Sequence, residues 1–264
     1  MTAPVHFVRW EVIPREQWEG IFAELPSWGV THTVAHPLWG KLERTEPGTM
    51  KQIKHWCDSA GLATPGCHAF WGKGNDIGCS DPVRHEELIR EHSTFLFQLS
   101  EMGVKTYTMH LGVDKGDGSW DNVKRAVEKL LPAAEKNDIV LALENGSETP
   151  EDLQKMIDLA DDFDSPFVGF CFDTGHANCY GERNVEKLLA QMAKRIAVLH
   201  LHDNYGTFDD HNPPGDGNID WQTLVPQLKA LPCLKNPETE SGDWSRDSWN
   251  TFYNVWNSFQ ANNK

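Results

Sequence analysis

The chain has 264 residues, 39% of them hydrophobic, enough to bury a substantial core and close to the length that a closed barrel of eight strand-helix units commonly takes. Its 39 Asp and Glu outnumber 24 Lys and Arg, for a formal net charge of -15. So acidic a surface repels phosphate backbones, and nucleic acid is not expected as a partner. The start, MTAPVHFVRWEV, lacks a basic segment followed by a long apolar run, and no stretch approaches the roughly 20 apolar residues of a membrane span. These features predict a soluble cytoplasmic protein without a membrane partner. The six cysteines show no CxxC spacing and are read as reduced thiols.

Strands and helices alternate. VHFVRWEV reads as a first strand, and Pro14 opens a helix over REQWEGIFAEL with one apolar face. THTVAH, Thr31 to His36, is a second strand; a helix over MKQIKHWCDSAG stops at Gly61, and a third strand, LATPGCHAF, ends near His68. An amphipathic helix from Pro82 to Met102 leads to the strand VKTYTMH, and a helix from Trp120 to Asn137 leads to IVLALE. Thr149 and Pro150 mark the next helix start as N-cap and first-turn proline. VGFCFD follows, then a helix begun by Asn184, the run Ile196 to His202, and a helix capped by Asp220. The weak strand CLKNPETE and a last helix from Ser245 to about Gln260 end the pattern. Helical crossovers imply a parallel sheet, and eight units in this length favour an α/β fold, a single (β/α)8 TIM barrel over residues 1–264. An open doubly wound sheet is the alternative.

Chemistry concentrates between Val198 and Trp221, VLHLHDNYGTFDDHNPPGDGNIDW. Alternation along the strand puts Val198, His200 and His202 on one face, and the loop beyond adds Asp203, Asp209, Asp210 and His211 before Gly/Pro turns. Imidazoles and carboxylates held at a rigid strand end are what a Zn or Mn site requires. The same parity applies to other strands. His68, His110, Glu144, Asp173 and His200 each end a strand on the face carrying small or polar residues, while the large apolar face suits packing on helices. These five side chains should therefore converge over the barrel mouth, where barrel enzymes place their chemistry.

LENG with Glu144, FDTGHAN with Asp173 and His176, HLHD with His200, and DDHNPPGDGNIDW with Asp209 and His211 resemble successive signatures of the xylose-isomerase-like barrel superfamily. That superfamily contains sugar (phosphate) isomerases and epimerases together with endonuclease IV. The resemblance implies one divalent metal (Mn, Zn, Mg or Co) bound by Glu144, Asp173, His200 and a last-strand glutamate. His200 is chosen over His202 because the family histidine lies three residues before an acid, here Asp203. On the last strand Glu238 and Glu240 share parity; Glu240 is chosen and Glu238 stays as the alternative. The resemblance also matches His68 and His110 to early histidines of the endonuclease type, and His176, Asp209 and His211 to its third metal position, as additional metal or substrate ligands.

The implied activity is a metal-dependent isomerase or epimerase of a sugar, sugar acid or sugar phosphate, in which the ion stabilises an enediolate and flanking carboxylates move the proton. Glu144 and Glu240 are the expected proton carriers, with His176 steadying a substrate oxygen. Trp71 and His202 are the expected substrate contacts, and Trp10 and Trp39, also past early strands, are read as packing residues more than as sugar walls. A small carbohydrate is the expected partner, and a homo-oligomer is left open. Two other readings stand beside this one: a multinuclear phosphoesterase of endonuclease IV type, and a barrel that binds a metabolite without catalysis.

Overall fold

The computed structural model describes residues 2–113, 118–181 and 183–259. Its sheet contains β1 (Gly66–His68), β2 (Thr106–Met109), β3 (Val140–Glu144), β4 (Val168–Asp173), β5 (Ile196–Leu201) and β6 (Asn236–Thr239), all parallel and in sequence order. Two extended segments close the ring. Val5 N donates to Pro237 O at 2.8 Å beside β6, and Val34 N donates to His6 O at 3.0 Å. Ala35 N then reaches Gly66 O of β1 at 2.8 Å. The Val5–His6 segment therefore pairs at once with β6 and with the segment at Thr33, the closure expected of a TIM barrel and not of an open sheet.

The first two strands are shorter than the sequence pattern implies. VHFVRWEV pairs only at Val5 and His6, then turns at Trp10–Val12, where Trp10 leaves the sheet to stack on Phe22 at 4.3 Å. Trp10 and Trp39 are fully buried in this aromatic cluster, so both are packing residues.

The helices are α1 (Trp18–Glu24), α2 (Pro37–Thr45), α3 (Thr49–Ala60), α4 (Pro82–Met102), α5 (Trp120–Asn137), α6 (Pro150–Phe163), α7 (Thr174–Cys179), α8 (Val185–Met192), α9 (Trp221–Lys229) and α10 (Arg246–Ser258). Helix α1 begins with a 3-10 turn at Arg15–Gln17 in place of the continuous helix expected from Pro14. Helices α2 and α7 are additions to the expected pattern. Each is started by a side-chain cap at a strand end: His36 accepts from Leu38 N, and Asp173 accepts from His176 N. The expected end of the last helix at Gln260 lies outside the described residues.

The parity of the strands is as expected except at Ala197, which a register shift between β4 and β5 leaves with the small residues and not with Leu199 and Leu201. Leu141, Leu143, Phe170, Phe172, Leu199 and Leu201 belong to the main core under the helices. Val140, Ala142, Cys171 and Val198 form, with Ala197, a separate small cluster. A Cβ at Gly66 would strike the Glu238 carboxylate, so that side chain sits where it does because residue 66 is glycine. All six cysteines are free. Among the described residues no helix is long and apolar enough to cross a membrane.

Candidate metal centre at the barrel mouth

Strand register sets the floor of the mouth: Asp173 pairs with His200, and His200 with Glu238. Local hydrogen bonds then aim the next layer. Asp173 Oδ1 accepts from His176 N at 2.6 Å as the N-cap of α7, so the acid and a histidine three residues on are brought over one side of the barrel. The Asn145 amide clamps the ends of β3 and β4, donating to Asp173 O at 3.0 Å and accepting from Asp173 N at 2.9 Å. Asp203 holds the following loop: it accepts from Gly215 N at 3.0 Å, Ile219 N at 3.2 Å and Trp221 Nε1 at 2.6 Å. The loop carries His211 in the left-handed region at φ 51°, strain of the kind that persists only where surroundings impose it.

Two four-residue donor groups result, overlapped by two of three residues, Glu144 with Asp173 and His176, and Asp173 with His202 and Glu240. In the first, His68, Glu144, His200 and Glu240 each bring a ligand atom within 4.8 Å of the others. His200 Nδ1 lies 2.9 Å from Glu144 Oε1, 2.9 Å from Glu240 Oε2 and 3.8 Å from Asp173 Oδ2. In the second, His176, His202, Asp209 and His211 meet within the same limit, and Asp173 and Glu144 link the groups through His176 at 3.6 and 3.7 Å.

The donor chemistry fits cations. His68, His176 and His211 each place Nδ1 on a backbone carbonyl, those of Ala69 (2.6 Å), Asn145 (2.8 Å) and Glu240 (2.8 Å). A neutral ring that donates Nδ1–H to a carbonyl has only a lone pair on Nε2, the orientation seen in metal-ligating histidines. Those Nε2 atoms face carboxylates: His68 is 3.1 Å from Glu144 Oε2, and Asp209 Oδ2 receives His176 at 3.2 Å and His211 at 3.0 Å. His110 Nε2 crowds the same Glu144 oxygen at 3.0 Å. A neutral ring in that orientation would set a lone pair against a carboxylate, so either a proton on Nε2 or a cation must lie between them.

The pKa shifts carry the same message. Burial pulls His211 down, but its hydrogen bond to Asp209 and the charge of Glu240 outweigh burial and raise it to about 9. Burial opposes charge at His110 and His176 as well, and facing carboxylates raise both. Glu144 is pushed up by its burial and pulled further down by His200 and His110, so it stays ionised in a dry site.

Above the floor opens a cavity of about 260 Å³ lined by His68, Trp71, His110, Glu144, His176 and Glu240 among others. Trp71, 45% exposed, stands 5.1 Å from the His68 ring as one wall. Asp209 and His211 also line this space. Two expected residues sit elsewhere. His202 is fully buried beneath the cavity, with Nε2 3.0 Å from both oxygens of Asp173 and its face 4.0 Å from His211, so these partners hold it away from a substrate-contacting position. Glu238 lies inside the barrel, 3.6 Å from His200 Nε2, and belongs to neither donor group; burial raises its pKa. Asp76, Glu148 and Tyr180 also line the cavity and were not singled out from the sequence. Only the tight turn after Glu144, where Gly146 N donates to Glu148 Oε2 at 2.6 Å, left a trace there in the Asn-Gly pair.

A closed parallel barrel whose strand ends gather carboxylates and imidazoles is a TIM barrel with a candidate metal site. The family model described as xylose isomerase-like TIM barrel matches residues 24–247, and the chain belongs to that family. Among solved structures, the 3-keto-D-glucoside 4-epimerase YcjR from E. coli superposes with a TM-score of 0.76 at 16% identity, covering 97% of this chain and 99% of that one. The IolI protein, solved with a zinc atom bound, gives a TM-score of 0.76 at 16% identity over 99% of this chain and 100% of its own. At such identities these likenesses establish the fold. In sequence, the uncharacterized protein y4fM of Sinorhizobium fredii is 32% identical over 109 residues, a stretch spanning 41% of this chain and 30% of that relative.

Proposed function

We propose that the chain is a divalent-metal-dependent isomerase or epimerase of a sugar, sugar acid or sugar phosphate. The observation that carries this reading is His200 Nδ1, 2.9 Å from one oxygen each of Glu144 and Glu240 on the floor of a cavity walled by an indole. One N–H shared between two buried carboxylates leaves excess negative charge that a cation there would balance. When bound by Glu144, Asp173, His200 and Glu240, a divalent ion would hold adjacent carbonyl and hydroxyl oxygens and stabilise the charge left when a proton leaves the carbon beside them.

The remaining work falls to the chain. Glu144 and Glu240 are the carboxylates that take the proton and return it, to the neighbouring carbon in an isomerase or to the opposite face in an epimerase. His176, fixed through Nδ1 on Asn145 O, offers Nε2 to a substrate oxygen. Trp71 supplies a flat apolar wall for the C–H face of a sugar, and about 260 Å³ suits one sugar unit and not a polymer. The sugar epimerase among the structural neighbours and the zinc bound to IolI support the substrate class and the ion.

A second reading draws on the His176, His202, Asp209 and His211 group, which could hold further ions for phosphoester hydrolysis. The net charge of -15 weighs against a nucleic-acid substrate. Two variants separate the readings. Glu144→Gln should fold normally and lose turnover roughly a thousandfold on a panel of ketoses, sugar acids and their phosphates, and undiminished turnover would remove the proposed site. Asp209→Ala/His211→Ala should keep about one ion per chain while substrate affinity or rate falls. Stoichiometric loss of metal together with phosphoesterase activity would make the hydrolase the better account.

A further inference from the structure

A second cavity of about 200 Å³ lies outside the barrel, lined by side chains of α2, α4, β2 and the loop after β1. Phe70, Leu88 and Phe95 form its apolar wall. Arg44, Arg84 and Arg90 also line it, against one lining acid, Glu91. Arg44 Nη1 and Arg84 Nη2 each reach Glu91 at 3.1 Å, and Glu87 meets Arg84 only at 3.5 Å. In a chain of net charge -15, a lining with three arginines, two of them sharing Glu91, and one carboxylate is locally positive.

His92 and Tyr107, two more lining residues, add a specific polar feature. The Tyr107 hydroxyl lies 2.6 Å from His92 Nδ1. The phenol has no other polar partner among the described residues, so its proton goes to Nδ1 and the ring carries its own proton on Nε2. Burial keeps this imidazole neutral by lowering its pKa to about 4. His92 Nε2 is buried with no hydrogen-bond partner, a state that native structures rarely leave unanswered.

We propose that this outer cavity binds a small aromatic carboxylate bearing a hydroxyl group. The ring lies against Phe70, Leu88 and Phe95, the carboxylate meets the arginines, and the hydroxyl oxygen accepts from His92 Nε2. The volume agrees, since a cavity of about 150 Å³ holds benzene. The site is separate from the mouth but shares a loop with it: Phe70 and Asn75 line the outer cavity, while Trp71 and Asp76 line the inner one. Arg84 is also tied to that loop, its Nε donating to Gly74 O at 2.7 Å.

Calorimetric titration of the full chain with 3-hydroxybenzoate, in buffer passed over chelating resin so that no ion in the mouth offers a competing carboxylate site, tests this directly. The expected result is saturable binding of one molecule per chain, weakened at least tenfold by Arg44→Ala and abolished by Thr94→Trp, which fills the cavity from an exposed helix position. Glu144→Gln should leave the affinity unchanged, and phenol and inorganic phosphate should each bind at least tenfold more weakly. Absence of saturable binding, binding indifferent to both cavity variants, binding lost in Glu144→Gln, or phosphate binding as tightly as the aromatic acid would each overturn the proposal.

Discussion

His6 and His211 are both histidines withdrawn from water, yet they end on opposite sides of neutrality. His6 packs 5.1 Å from the Trp249 ring with Nε2 on the Trp244 carbonyl at 3.0 Å, and burial lowers its pKa to about 4. His92 behaves alike against Tyr107. His211 and its neighbours at the mouth face carboxylates instead, which overcome burial and raise them. Away from the mouth, the chain therefore uses imidazole as a neutral, hydrogen-bonded filler of the core. At the mouth it sets buried charge against buried charge, an arrangement that well-packed apolar residues would match or better for stability. The difference sets the mouth apart from the core as the candidate site.

The largest break in this comparison should come from Asp203→Asn. It touches no mouth donor, but it removes the buried carboxylate on which Gly215 N, Ile219 N and Trp221 Nε1 converge. An amide cannot accept from all of them without presenting its own N–H groups, and chemical denaturation should show a loss on the order of 3 kcal/mol, with lower substrate affinity as His211 loses its support. Unchanged stability would show that the loop is held by other means.

Titration of the core histidines sharpens the contrast with a somewhat smaller effect. A buried histidine whose folded pKa is about 4 against 6.5 takes up its proton more readily in the unfolded chain. Its contribution is thus intact above about pH 6.5 and is lost as pH falls toward 4, by up to roughly 3 kcal/mol per histidine. His6→Asn and His92→Asn should each flatten the pH dependence of unfolding free energy across that window relative to the native chain. Equal slopes in native and variant proteins would contradict neutral burial.

Much of this was legible in the sequence because alternation and capping are local. The bounds of α4, α5 and β3, the Thr149 cap of α6, and the convergence of His68, His110, Glu144, Asp173 and His200 all follow from residue period or one-turn chemistry. What was not legible depends on tertiary contacts. Helix α2 exists because His36 caps it at a strand end, and the early strands are short where Trp10 turns toward Phe22. Parity alone could not rank Glu238 against Glu240; one lies in the barrel interior beside Gly66, and the other approaches His200 Nδ1. Nor could it show His202 locked between Asp173 and His211, a fit that requires glycine at 175 because a Cβ there would strike the His202 ring.

The ion proposed for the mouth has one defined place. Anomalous diffraction from crystals of the protein grown with Mn or Zn tests it most directly. A strong peak between Glu144, Asp173, His200 and Glu240 is the predicted result. A map with no peak there, or with density only among His176, His202, Asp209 and His211, would contradict it.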